Sequence, residues 1–184
     1  RSYKGLAPNK LLKNYDNNVL KFERNDISNV PYTDFDLSIS MFNVVNHIQR
    51  VDQVMHFFHE IRKRMKKGGY FIFDIWNGVA AIQDWPKKET RIYKVEDKII
   101  ETHWTPKIDL MSLEVTMHTE GTIVYPDKQP DTFNYSLSHT VWTSKSISDL
   151  LFLSGFRVLK INKSFTEIKA KHDDYKIVFI CEAF

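Results

Sequence analysis

The sequence predicts an α/β fold, and three observations carry that prediction. Nearly continuous apolar runs recur at Phe35 to Phe42 (FDLSISMF) and Tyr70 to Trp76 (YFIFDIW), as in strands covered on both faces. Between them Val51, Val54, Met55, Phe58, Ile61 and Met65 repeat at helical spacing. A strand, a helix and a strand in that order imply parallel strands joined by a helical crossover.

The other elements follow in order. Val19 to Glu23 alternates and runs into Arg24-Asn25-Asp26, which reads as a short strand. The long helix ends on Arg62, Lys63, Arg64, Lys66 and Lys67, favourable at the negative end of its dipole, and Gly68-Gly69 is expected to stop it. Asn77-Gly78 ends the Tyr70 strand. Ile92 to Thr105, Met111 to Tyr125 and Thr132 to Trp142 then switch to period-2 patterning, an antiparallel insertion over residues 91–142. Asp97-Lys98, Pro106 and Pro126-Asp127-Lys128 are its expected turns. Thr143 or Ser144 can cap a helix carrying Ile147, Leu150, Leu151 and Leu153, and Gly155 closes it. Phe156 to Ile161 and Lys176 to Cys181 read as closing strands.

Composition narrows the function classes. The 184 residues suit one domain, and 42% apolar content supports a sizeable core. Lys and Arg number 26 against 23 Asp and Glu, a net charge of +3, which is too dilute for a dedicated nucleic-acid surface. One cysteine, Cys181, excludes an internal disulfide framework and a Cys-based zinc site. His56 and His59 lack a third ligand, so no metal site is expected. The apolar runs are short of the roughly 18 residues that cross a bilayer. The reading is a soluble, cytoplasmic domain with no membrane or nucleic-acid partner, acting on a small molecule.

Three stretches follow strands, where open α/β sheets bind ligands: Asn25 to Ile27, Met41 to Ile48 (MFNVVNHI) and Asp74 to Gly78 (DIWNG). Taken with FERNDI (Phe22 to Ile27) and MKKGGYFIFDIWNG (Met65 to Gly78), this ordered set resembles a class I S-adenosylmethionine-dependent methyltransferase. The insertion, with SHTVWT near its end, is similar to the branch that includes the sugar N,N-dimethyltransferases. The resemblance implies a Rossmann-like, mostly parallel sheet with its last strand antiparallel, and S-adenosylmethionine as methyl donor.

It also implies site residues. Asp26 matches the acid that accepts a hydrogen bond from the adenine amino group, with Ile27 beside the ring; otherwise Asp26 caps a turn with Ser28. Met41 and Phe42 match positions lining the adenosyl-methionine cleft, or are strand-end packing. His47 matches a catalytic histidine near the transferred methyl, and an unperturbed pKa near 6.5 suits it to remove a proton; otherwise it bonds backbone at a helix start. Trp76 and Asn77 form a substrate wall or core packing. His139 shares a strand face with Phe133, Tyr135, Leu137 and Val141, and is a half-buried structural histidine or a substrate contact.

One part of the family pattern is missing from these 184 residues. The six glycines, Gly5, Gly68, Gly69, Gly78, Gly121 and Gly155, do not form the glycine-rich turn that follows the family's first strand. Lys4 to Leu12 resembles the end of the second strand and the next helix, with Ala7 in place of the ribose-binding acid. The chain is therefore expected to be the C-terminal portion of a methyltransferase domain of roughly 230–260 residues. The expected reaction is methyl transfer to a small polar acceptor, an amine or amino sugar. The alternatives are a non-catalytic remnant or assembly module, a nucleotide-binding oxidoreductase, and a protein or nucleic-acid methyltransferase. The insertion covers the acceptor site or forms a homodimer contact.

Overall fold

The computed structural model describes residues 23–184. The expected strand from Val19 falls outside the described residues except for Glu23, as do Lys4 to Leu12 with Ala7. The chain divides into two compact units, Arg1–Val30 and Pro31–Phe184. In the first, Asp26 caps a 3-10 turn, Ile27–Asn29; its carboxylate accepts from the Ser28 backbone N–H at 2.9 Å and from the Ser28 hydroxyl. Asp26 is exposed and Ile27 half-buried.

The second unit holds two sheets. In chain order its elements are β1 (Phe35–Ser40), α1 (Val51–Arg64), β2 (Met65–Trp76), α2 (Gly78–Gln83), β3 (Glu89–Val95), β4 (Lys98–Asp109), β5 (Glu114–Val124), β6 (Asp131–Thr140), α3 (Ser144–Leu153), β7 (Phe156–Lys163) and β8 (Lys176–Ala183). The first sheet has the order β1-β2-β8-β7. β1 and β2 are parallel, and β8 runs antiparallel to both β2 and β7. The parallel crossover and the reversed final strand are as the sequence predicts. β3 to β6 form a four-stranded antiparallel meander.

Alternation along β2 sends Phe71, Phe73 and Ile75 to one face, all fully buried. Phe58 of α1, Phe156 of β7, Phe179 of β8, and Ile147 and Leu151 of α3 complete that core. Its rings interlock: Phe73 and Phe179 stack at 5.1 Å, and Phe71 and Phe73 at 4.7 Å. Burying each such side chain contributes about 1.5–3 kcal/mol. On α1, Val54, Phe58 and Ile61 are buried as the periodicity predicts, whereas Val51 is half exposed. Thr143 is the cap of α3, its hydroxyl accepting from the Ser146 N–H at 3.1 Å.

Two expectations need correction, those for Gly68-Gly69 and Pro106, and the one for Asn77-Gly78 is extended. α1 stops at Arg64, four residues before Gly68, because the chain must turn into β2 there. Gly68 and Gly69 lie in a bulge of β2: the register jumps from Phe35↔Met65 to Leu37↔Tyr70. Gly68 has φ +81°, which is why a glycine stands there. Asn77-Gly78 does more than end a strand, since it opens the short helix α2 with Asn77 as its cap. Pro106 is no turn but sits in β4 opposite Met117. β3 reaches only as far as Trp104, so beyond it β4 is an edge that tolerates a residue without an N–H. The turn falls instead after Asp109, whose carboxylate accepts from Met111 N at 2.9 Å and Ser112 N at 3.3 Å.

Candidate functional site

The segment after β1 is the hinge of the site. Phe42 and Asn43 have φ of 70° and 59°, an unusual pair of left-handed non-glycine residues. The turn survives because its ends are tied down. Asp74, almost fully buried in β2, accepts a hydrogen bond from the Asn43 N–H at 3.0 Å. Asn46, fully buried, accepts from the Trp76 N–H at 3.0 Å and donates to the Thr140 carbonyl at 2.8 Å. One amide thus joins the β1 turn, the end of β2 and the end of β6.

That junction brings His47, Trp76 and His139 together. The ring centroids of His47 and His139 are 4.2 Å apart, and Trp76 stacks on His139 at 4.6 Å with the planes 13° apart. Tyr175 lies 5.7 Å from Trp76. These four residues line a cleft of about 450 Å³ whose far wall is the insertion, with Arg91, Trp104, Thr119 and Tyr135. A larger open groove of about 780 Å³ runs beside the edge strand β7, but neither histidine lines it. Convergent ionisable and aromatic groups, rather than volume, make the smaller cleft the candidate site.

Burial pushes the His139 imidazole down from 6.5 to about 4, and the neighbouring His47 adds to the effect. The backbone of Val115 and Leu137 opposes that shift, yet Nδ1 has no hydrogen-bond partner. His139 is therefore neutral at physiological pH. Burial also lifts the Tyr175 phenol to about 12, with Asp84 contributing, so it stays protonated. His47 is exposed to the cleft.

The remaining sequence candidates are placed differently. Asn77 is buried and fully engaged: it donates to the Lys171 and His172 carbonyls at 3.2 and 3.1 Å and accepts from Val79 N at 3.3 Å. It lines the β7 groove, not the histidine cleft. Met41 faces away from the helix-covered core, beside Ile72, Val178 and Ile180. Phe42 is 81% exposed at the turn. Asp26 and Ile27 belong to the other unit. Among the described residues no group of three or more metal-ligating side chains occurs, and no helix is long and apolar enough to cross a membrane.

The sequence places Asn46 and Asp74 in strand-end stretches without singling them out, and does not point to Trp104 or Thr119. Polar residues at strand ends were visible signals for the first two. Nothing local marks the last two.

Residues 5–73 match the family described as "Methyltransferase domain". No curated protein matches the chain. Solved structures share its fold. An S-adenosylmethionine-dependent methyltransferase from Clostridium acetobutylicum is 18% identical with a TM-score of 0.73, over 86% of this chain and 63% of its own. DesVI from Streptomyces venezuelae is 12% identical at 0.71, over 88% and 64%. The sugar N-methyltransferase KedS8 from Streptoalloteichus is 8% identical at 0.66, over 85% and 60%. The class I methyltransferase resemblance read from the sequence is thereby borne out. The chain spans less than two thirds of the length of these structures.

Proposed function

We propose that this chain forms the acceptor side of an S-adenosylmethionine-dependent methyltransferase acting on a small polar amine, such as an amino sugar. The observation that carries the reading is the joining of His47, from the turn after a parallel strand, to His139 and Trp76 in one cleft. Sheets of this kind bind ligands at that edge. Similar folds add weight, since one belongs to a sugar N-methyltransferase and another to an amino pentose methyltransferase with S-adenosylmethionine bound.

The methyl donor supplies an activated sulfonium methyl. What this chain supplies is position and a proton acceptor. Met41 and Phe42 follow β1, where they would border the donor. An ammonium must lose a proton before its nitrogen can attack. His47 is the group in the cleft placed to take that proton. His139, neutral, presents a flat uncharged surface beside it and does not compete for the proton. Trp76 and Tyr175 give an aromatic wall that excludes water and supports a ring.

The meander offers an acceptor wall on its inner face and a mixed outer face, where Ile92, Ile99 and Val124 are exposed. Its outer face carries polar pairs, Thr116 with Ser138 at 3.0 Å, His118 with Ser136 at 2.7 Å and Thr90 with His103 at 2.9 Å. Its inner face carries the aromatic cleft residues. Calorimetric titration with S-adenosylhomocysteine tests the donor half, and absence of binding would favour a non-catalytic remnant. In the active protein H47A is expected to lower kcat by roughly 10²-fold, with S-adenosylhomocysteine affinity unchanged. An unchanged kcat would remove the proposed role of His47.

A further inference from the structure

Cross-strand register places one residue from each strand of the meander in a single row. Glu89 faces Trp104, Trp104 faces Thr119, and Thr119 faces Tyr135. All four line the cleft, and so does Arg91, one step along the same face of β3. One member carries an unspent hydrogen-bonding group. The Trp104 indole N–H is sealed from solvent with no partner. Thr119 is 3% exposed and lines the cleft. A buried polar group without a partner costs stability, so the Trp104 N–H on a cleft wall points to a ligand that completes it, with the Thr119 hydroxyl beside it.

The charges in the row define the ligand. Arg91 lies over the Trp104 ring at 4.2 Å and donates to Glu89 at 2.7 Å, so its charge is already met within the wall. Lys87 is likewise held by Asp84 at 2.8 Å, and the cleft's remaining cation, Lys176, stands on β8 opposite Trp76 and not in the row. An anion here would meet the Glu89 carboxylate. A neutral ring oxygen or hydroxyl meets a donor in Trp104, a donor or acceptor in Thr119, and an acceptor in Glu89.

We propose that the row Glu89–Trp104–Thr119–Tyr135 determines acceptor specificity, with Trp104 and Thr119 hydrogen-bonding neutral oxygens of the acceptor ring remote from the methylated nitrogen. This rests on the reading of the cleft as the acceptor site. Selectivity then comes from penalising acceptors that leave these groups unpaired, more than from attraction to the amine.

The test compares two ring amines, glucosamine and cyclohexylamine, which share the amino group but differ in ring oxygens. Binding is followed on 15N-labelled protein through the four tryptophan indole signals, with Trp104 assigned by W104F. Glucosamine is expected to move the Trp104 signal and to bind at least tenfold tighter than cyclohexylamine. T119V, near-isosteric and so expected to fold, should cut that preference roughly tenfold, the worth of one hydrogen bond. Its cyclohexylamine affinity should not change. Equal affinities for the two amines, an unmoved Trp104 signal, or equal losses for both amines in T119V would overturn the proposal. A sugar phosphate bound tighter than glucosamine through the same signals would overturn its neutral-ligand part. S-adenosylhomocysteine titration reports on the methyltransferase reading separately: its failure alongside a positive ring-oxygen preference would leave a recognition cleft without the transfer reaction.

Discussion

The two sheets of this molecule handle side-chain burial in opposite ways. The helix-covered face of β1-β2-β8-β7 is dry and self-complementary: Phe58, Phe71, Phe73, Phe156 and Phe179 are fully buried against one another. The inner face of the meander keeps polar atoms sealed but unpaired at Trp104 and His139. A wall optimised only for stability would not retain such groups. The first sheet therefore serves as a platform, and the second as a reading surface held at its edge.

Four experiments break or sharpen that contrast. The largest effect is expected in the platform, where F73A should remove about 3–5 kcal/mol of stability, measured by chemical denaturation. N46A strikes the junction and deletes two buried hydrogen bonds, for an expected loss of about 2–4 kcal/mol. It should also separate the His47 and His139 rings, which nuclear Overhauser contacts would register. A loss equal to that of F73A with ring contacts intact would make Asn46 ordinary core.

The reading surface should show itself in pH dependence. Folding lowers the His139 pKa from 6.5 to about 4, so the unfolded chain binds that proton more readily. This contribution to stability is complete above pH 6.5 and is lost as pH falls toward 4, by about 1–3 kcal/mol. H139Q should flatten the melting temperature across that window; an unchanged slope would mean another group is responsible. The smallest effect belongs to the outer face of the meander, where T116V is expected to change stability by no more than about 0.5 kcal/mol.

Much of the platform is legible in the sequence because each element announces itself locally. Period 3.6 marks α1, apolar runs mark β1 and β2, and Thr143 caps α3. The exceptions have physical causes. Gly68-Gly69 looks like a helix stop, but its glycines serve a bulge that only the pairing of β1 with β2 requires. Pro106 looks like a turn, but it is tolerated in a strand because β3 ends two residues earlier along β4. His47, Trp76 and His139 were singled out as separate candidates from three parts of the chain. Their convergence was invisible, since it depends on Asn46 bonding to β2 and β6 at once.

By itself, then, the sequence determined the class of fold, the order of its strands and helices, and the strand-end positions where chemistry could sit, because these follow from short-range periodicity and capping. Tertiary structure alone decided which strand-end residues share a cleft, which line a different groove, as Asn77 does, and which inward-facing residues of four strands fall into one row. Register between strands is a long-range property: moving any strand by one residue turns its side chains to the other face, and no local pattern encodes the partner across the gap.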